Sequence, residues 1–220
     1  MYIHFIRHGE TEYNRKHLHQ GLDVPLSLKG RQQIQKTAEK LAGFQPPITK
    51  LITSDLARTV ESAEIIGRAL ELTLEPNVLF REVQRPTFLY NKHHFGLGSI
   101  QASIPMLTHL HNPHWHYSDE ENLSDLQDRV IEAVAYLKEV GKEHEHVAVV
   151  SHAFILNIFI KYMCSSPEHR VVRIPDYIAT LLGAKKLHNA SITTLMFNED
   201  ENPNTCDWIL TAYNDHDHLA

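Results

Sequence analysis

Apolar residues fall along this chain in short runs separated by amphipathic stretches, and the two patterns alternate. Tyr2–Ile6, Leu51–Thr53, Val78–Phe80, Val147–Val150, Ile192–Phe197 and Trp208–Ala212 are brief and rich in β-branched or aromatic residues, so each reads as a strand. Between several of them apolar positions recur at helical spacing. Ile34, Ala38 and Leu41 share one face, closed by Gly43 and Pro46-Pro47, and Ala63, Ile66 and Leu70 share another. Leu126, Val130, Ala133 and Leu137 repeat behind a cap at Asn122 or Ser124. Phe154–Met163 is apolar nearly all round, which predicts a buried helix.

Strands alternating with helices predict a three-layer α/β/α fold around a mainly parallel sheet. The last two strands lie too close for a crossover, so they should form an antiparallel hairpin across Asn198–Asn204 and supply one antiparallel edge strand. Arg85–Glu121 interrupts the alternation. It is aromatic, histidine-rich and weakly periodic, and is expected to be a small cap-like insertion over the C-terminal edge of the sheet, within a single domain spanning 1–220.

Composition narrows the classes. The chain has 220 residues, 42% hydrophobic and 22% charged, enough for one domain with a substantial core. A formal charge of -6 argues against general nucleic-acid binding, which needs a basic face. No run approaches the ~20 apolar residues of a membrane span. The N-terminus enters an apolar run without a basic leader, and Cys164 and Cys206 are too few for a disulfide framework, so a reducing, cytoplasmic setting is expected. Asn122-Leu-Ser124 and Asn189-Ala-Ser191 fit a glycosylation pattern but read as chance in that setting.

The chemistry-bearing residues sit at strand ends. The first strand runs into Arg7-His8-Gly9-Glu10-Thr11, and the second into Thr53-Ser54-Asp55 with Arg58 in the following turn. The third leads to Phe80-Arg81-Glu82 and the fourth to Val150-Ser151-His152. Ligands of parallel sheets bind beyond the carboxyl ends of the strands, so these motifs should converge. Two arginines and two histidines suit a phosphoryl group. Gly9 would let the backbone pass close to a ligand, helix N-termini after Ser54 and Ser151 would offer N–H groups to an anion, and Glu82 is a candidate proton donor. The bland alternatives are surface ion pairs for the arginines and a helix cap for His152.

The run from Arg7 to Asn14, Arg-His-Gly-Glu-Thr-Glu-Tyr-Asn, with Gln20-Gly21, Asp23, Pro25-Leu26 and Gly30 after it, resembles the signature of the histidine phosphatase superfamily. Ser54-Asp55-Leu56-Ala57-Arg58-Thr59 is similar to that group's second motif, and Val150-Ser151-His152-Ala153 to its last. The resemblance implies a phosphomonoester phosphatase in which His8 is the phosphorylated nucleophile. Arg7, Arg58 and His152 would clamp the phosphate, Glu82 would serve as acid and base, and Asn14, Gln20 and Gly21 would line the substrate pocket. It implies no cofactor and no metal, with a small-molecule phosphate ester as the partner.

Two other readings stand beside it. A phosphoglycerate mutase needs extra cations over its pocket, and Arg85–Glu121 has only Lys92 in its interior. A non-catalytic phospho-ligand module should have lost a nucleophile or clamp residue, and none is missing. His109, His111, His114 and His116 raise the question of a metal, but 17 histidines make clusters expected by chance. Phe88, Tyr90, Phe95, Trp115 and Tyr117 either cover the pocket or fill a satellite core, and Asp215–His218 reads as a frayed end. Oligomeric state is not legible.

Overall fold

Residue alternation in the strands builds the three layers. The computed structural model describes residues 1–166, 170–181, 187–198 and 206–220. Strands β1 (Tyr2–Arg7), β2 (Lys50–Thr53), β3 (Leu74–Pro76), β4 (His146–Ser151), β5 (Ile192–Phe197) and β6 (Trp208–Asp215) form one sheet in the order β3-β2-β4-β1-β5-β6. The four strands β3, β2, β4 and β1 run parallel, and β5 is antiparallel to both β1 and β6. The opposed strand is thus one in from the edge. Of the expected hairpin turn only Asn198 lies among the described residues; its N–H meets the carbonyl of Asp207 at 2.8 Å.

Successive side chains of a strand point to opposite faces. Phe5, Val147 and Val149 therefore join one core with Phe159, Leu126 and Leu137. Ile6, Ala148 and Val150 join the other with Ile34, Ala38 and Ile66. The first core is covered by helices α5 (Leu123–Val140) and α6 (Ala153–Met163), and the second by α2 (Leu28–Ala42) and α3 (Ala57–Leu70). Local caps set the ends. The Ser27 hydroxyl accepts the Gly30 N–H and Gly43 closes α2, while Asn122 and Asp125 form a reciprocal capping box at the start of α5. The short α1 is Glu12–Lys16, α4 is Leu97–Thr108 and α7 is Ile174–Leu181. Among the described residues no helix is long and apolar enough to cross a membrane.

Three expectations need correction. Val78–Phe80 is not the third strand: it is a 3-10 turn, and the strand is Leu74–Pro76. Pro76 has no N–H to extend the ladder, and the Asn77 side chain caps the turn by accepting the Leu79 N–H at 3.0 Å. The apolar character of the turn fills the core, with Phe80 wholly buried beside Phe159. Helix α4 was not anticipated because it lacks a polar–apolar period; it contains no charged residue and carries Pro105 inside. The Asp215–His218 end is docked rather than frayed, with Asp215 ion-paired to Lys40 at 2.6 Å and His218 Nε2 3.0 Å from the Thr37 hydroxyl.

The Arg85–Glu121 segment folds back on the loop that follows α1. The N–H of His19 meets the carbonyl of Lys92 at 2.9 Å, Asn91 returns to His19 at 3.0 Å, and His94 to His17 at 2.9 Å. This ladder places the segment beside the C-terminal end of β1.

Candidate active site

His8 lies one residue past β1, where the sheet no longer pairs both sides of its backbone. Its N–H meets the carbonyl of Ser151 at 3.0 Å, and its carbonyl accepts from the Ala190 N–H at 3.2 Å and Asn189 Nδ2 at 3.1 Å. The imidazole is buried, with Nδ1 2.7 Å from the carbonyl oxygen of Gly9. A carbonyl only accepts, so Nδ1 carries the proton and Nε2 keeps its lone pair. Burial, then the Arg58 and Arg7 charges, hold the His8 pKa well below its ordinary value, opposed in part by the Gly9 hydrogen bond. His8 is a neutral imidazole at neutral pH with a nucleophilic nitrogen fixed by its neighbour.

Arg7 and Arg58 flank it from separate elements. Arg7, the last residue of β1, donates through Nη1 to the Leu187 carbonyl, and its buried Nε has no hydrogen-bond partner. Arg58, in the first turn of α3, donates through Nη1 to the Gly21 carbonyl at 3.0 Å, and its Nε is likewise buried and unpartnered. Burial lowers each guanidinium to about 10, with Glu82 pulling the other way, so both stay charged at neutral pH. The His152 ring lies 5.2 Å from that of His8, with Nε2 3.0 Å from the Ser54 hydroxyl and Nδ1 buried without a partner. Burial, then Arg58, the His8 ring, Arg7 and Arg129, drives its pKa well down. Buried polar groups normally find partners, so three such nitrogens around one imidazole describe a seat for an anion.

Glu82 arrives from the loop after the 3-10 turn. The Ser151 hydroxyl donates to the Phe80 carbonyl at 2.7 Å, and Arg129 donates to the carbonyls of Leu79 and Arg81 at 2.9 and 2.8 Å. The Glu82 carboxylate accepts the N–H groups of Phe154 at 3.1 Å, Ile155 at 3.0 Å and its neighbour Val83 at 3.1 Å. The start of α6 was expected to hold an external anion; it holds Glu82 instead. Oε2 accepts one N–H and retains acceptor capacity for a proton or a water.

The remaining expected residues form the frame. Asn14 Oδ1 receives the Thr11 N–H at 3.1 Å and Asn189 Nδ2 at 3.2 Å, and Gln20 Oε1 receives the Thr11 hydroxyl at 3.1 Å. Gly21 contributes its carbonyl to Arg58. Gly9 does not face a ligand: a Cβ there would stand 2.4 Å from the carbonyl oxygen of Gly30, and one at Gly30 would stand 2.1 Å from that of Glu10. The two glycines let the signature loop press on the start of α2. Asn189 was missed as a functional residue, although Asn189-Ala-Ser191 drew notice for another reason; it bridges His8 and Asn14.

The aromatic segment divides. Phe88 and Phe95 are 43% and 76% exposed, so neither fills a satellite core, whereas Tyr90 packs on Gly21. Trp115 stacks on His109 with ring centroids 4.2 Å apart, and His116 bonds Asp125 at 2.7 Å. Among the described residues no three His, Cys, Asp or Glu side chains are grouped to hold a metal ion.

The family model "Histidine phosphatase superfamily (branch 1)" matches residues 3–205. The chain belongs to the histidine phosphatase superfamily. Two relatives, from Citrobacter koseri and an Enterobacter species, both bear the name "Probable phosphoglycerate mutase GpmB". They are 26% and 28% identical to this chain, and each alignment covers 90% of this chain and 85% of the relative. The alpha-ribazole phosphatase from Shigella flexneri superposes with a TM-score of 0.75 at 19% identity, over 98% of this chain and 97% of that one. A mycobacterial glucosyl-3-phosphoglycerate phosphatase superposes with a TM-score of 0.73 at 24% identity, over 97% and 98% of the two chains. Structural relatives of this superfamily member therefore include phosphatases.

Proposed function

We propose that this protein is a metal-independent phosphomonoester hydrolase that works through a phosphohistidine on His8 and acts on a small-molecule ester. The observation that carries it is the ring of buried, unpartnered nitrogens on Arg7, Arg58 and His152 around an imidazole whose tautomer is set. In the first step Nε2 of His8 forms a bond to phosphorus as the bond to the leaving oxygen breaks in line. Glu82 gives that oxygen its proton, while the guanidiniums and His152 stabilise charge on the equatorial oxygens. In the second step Glu82 takes a proton from water, the hydroxide attacks phosphorus, and the P–N bond breaks to free His8.

The names of the sequence relatives raise mutase chemistry as a second reading. A mutase must grip a second anionic group of its substrate. Among the described residues Arg81 is tied to Asp55, Arg129 is tied to Glu121, and Lys92 lies 5.2 Å over the Phe88 ring. In the Arg85–Glu121 segment that leaves Arg85, 5.3 Å over the Phe154 ring, and Lys92, a thin provision, and hydrolysis is favoured.

The test is a phosphomonoester panel with purified protein, read as released phosphate. Wild type should form an acid-labile, base-stable phosphoenzyme, and His8→Ala should form none while keeping its fold. Turnover should survive exhaustive chelation, because guanidiniums stand where a metal enzyme would place its cation. Near-normal turnover by His8→Ala, or efficient phosphoglycerate isomerisation, would overturn the proposal.

A further inference from the structure

Ser54 follows β2 and is wholly buried. Its backbone is held on both sides: the N–H meets the Val150 carbonyl at 3.0 Å, and the carbonyl accepts the hydroxyls of Thr53 and Thr59, each at 2.9 Å. The hydroxyl lies 3.0 Å from Nε2 of His152 and accepts the Leu56 N–H at 3.4 Å. Nδ1, the other nitrogen of the same ring, is the buried one that has no partner.

A count of protons decides how this contact runs. Burial and the Arg58 and Arg7 charges keep the His152 ring neutral, so it carries one proton, and one nitrogen donates while the other accepts. Were the proton on Nε2, the Ser54 oxygen would accept from both His152 and Leu56. Its own proton would then be buried with no acceptor among the described residues, and Nδ1 would turn a lone pair toward a phosphate oxygen. With the hydroxyl donating to Nε2, both conflicts vanish. The serine proton is used, a lone pair still takes the Leu56 N–H, and Nδ1 carries an N–H that an anion can accept.

We infer that Ser54 sets the tautomer of His152, so that His152 grips the phosphoryl group through Nδ1–H as a neutral donor. Ser54 is a positioning residue, since it acts through His152. The two site histidines are thereby given opposite tasks by different partners. A carbonyl, which can only accept, fixes the proton of His8 on Nδ1 and leaves Nε2 bare for attack. A hydroxyl already accepting from Leu56 donates to His152 and makes its far nitrogen a donor. The inference rests on the hydrolase reading above for the identity of the anion and deepens it.

The experiment is nitrogen NMR on histidine-labelled protein at neutral pH without ligand, with the His152 signals identified by their loss in His152→Gln. Protonated and bare ring nitrogens resonate far apart, so the tautomer is read directly. Wild type should carry the His152 proton on Nδ1. In Ser54→Ala the proton should be shared with or moved to Nε2, while His8 keeps its own on Nδ1. Calorimetry with inorganic phosphate should show about tenfold weaker binding to Ser54→Ala, the loss expected for one hydrogen-bond donor. A wild-type His152 that holds its proton on Nε2, or is charged, would overturn the inference whether or not the variant folds. A folded Ser54→Ala that keeps Nδ1–H, or that binds phosphate as tightly as wild type, would equally overturn it. The tautomer is read without turnover, so failure of every ester to label His8 would overturn the hydrolase reading and leave the tautomer assignment standing.

Discussion

Oε2 of Glu82 accepts the backbone N–H of Phe154 at 3.1 Å, so the candidate acid is seated on the first turn of the helix that follows His152. One carboxylate thus caps α6 and lies close enough to Arg7 and Arg58 to act on the charge of both. Its reach is set by backbone rather than by rotamer choice, which pre-orients it for transfer to and from a departing oxygen.

That seating separates two consequences of Glu82→Gln. The amide keeps an acceptor oxygen but cannot deliver or take a proton, so turnover of alkyl phosphates should fall by roughly 10²–10⁴. Aryl phosphates, whose phenolate leaves unaided, should lose far less in the burst that forms phosphohistidine. Stability should drop by only about 1 kcal/mol through the weakened cap. Rapid-quench kinetics on both ester types check this, and equal burst losses would remove Glu82 from the acid role.

The pH profile follows from His8. The proposed nucleophile is the neutral imidazole, whose pKa in the fold lies well below the ordinary 6.5 because of burial and the two guanidiniums. Lowering the pH to 6 should therefore leave the free-enzyme rate unharmed on this account, with loss only as pH drops further. An acid limb in kcat/KM that disappears with Arg58→Met at unchanged fold, or one centred near 6.5 in wild type, would contradict the stated electrostatics.

Asn189 tests positioning. Its Nδ2 joins the carbonyl of His8 to Oδ1 of Asn14, at 3.1 and 3.2 Å, without forming part of the unpartnered nitrogen ring. Asn189→Ala should lower kcat about tenfold with little change in KM, since one hydrogen bond that holds the nucleophile's backbone is lost. Asn189→Ser should recover part of the rate. A loss confined to KM would place the residue on the substrate instead.

The Gly9–Gly30 apposition carries a similar demand. Gly30→Ala would drive a methyl group against the Glu10 carbonyl, which is backbone and cannot swing away. Destabilisation of about 1–3 kcal/mol is expected from such overpacking, with lowered turnover as the His8 loop shifts. Denaturant unfolding beside steady-state kinetics measures both.

How much of this was legible depends on where each constraint lives. His8, Arg7 and His152 were readable because they sit where an apolar run stops, and a strand end has one place to go in a parallel sheet. Glu82 comes near Arg7 and Arg58 even though Val78–Phe80 is a turn, because Phe80 is anchored in the core whichever backbone shape precedes Glu82. Gly9 was read as facing a ligand because its true neighbour, Gly30, is remote in sequence. Helix α4 escaped notice for want of a polar face, and the sharing of α6's first N–H groups with Glu82 is a tertiary fact that no local pattern encodes.

The last prediction concerns stability, away from the site. His4 on β1 and His146 on β4 are paired through Nε2 and Nδ1 at 3.1 Å, and His4 Nδ1 meets the Thr194 hydroxyl at 3.1 Å. Tyr2 and Phe44 pack against the pair, and the groups that act on His146 are Glu145 and the N-terminal amine. Burial, then His146, lowers the His4 pKa from 6.5 to about 4. The unfolded chain therefore binds a proton at His4 as pH falls below 6.5, while the folded chain resists until about 4. Stability from this site is full above 6.5 and drains across that window, by about 3 kcal/mol in all. His4→Phe keeps the ring packing and removes the titration. It should cost about 1 kcal/mol at pH 7.5, from the orphaned Thr194 and His146 groups, yet show a shallower loss between pH 6.5 and 4. Urea unfolding of both proteins across that range decides the matter, because buried histidines remote from His4 contribute equally to each and cancel in the difference, and His4→Phe with His146→Phe removes the coupled partner as well. Parallel pH dependences would mean that His4 is already charged in the fold or is not buried as described.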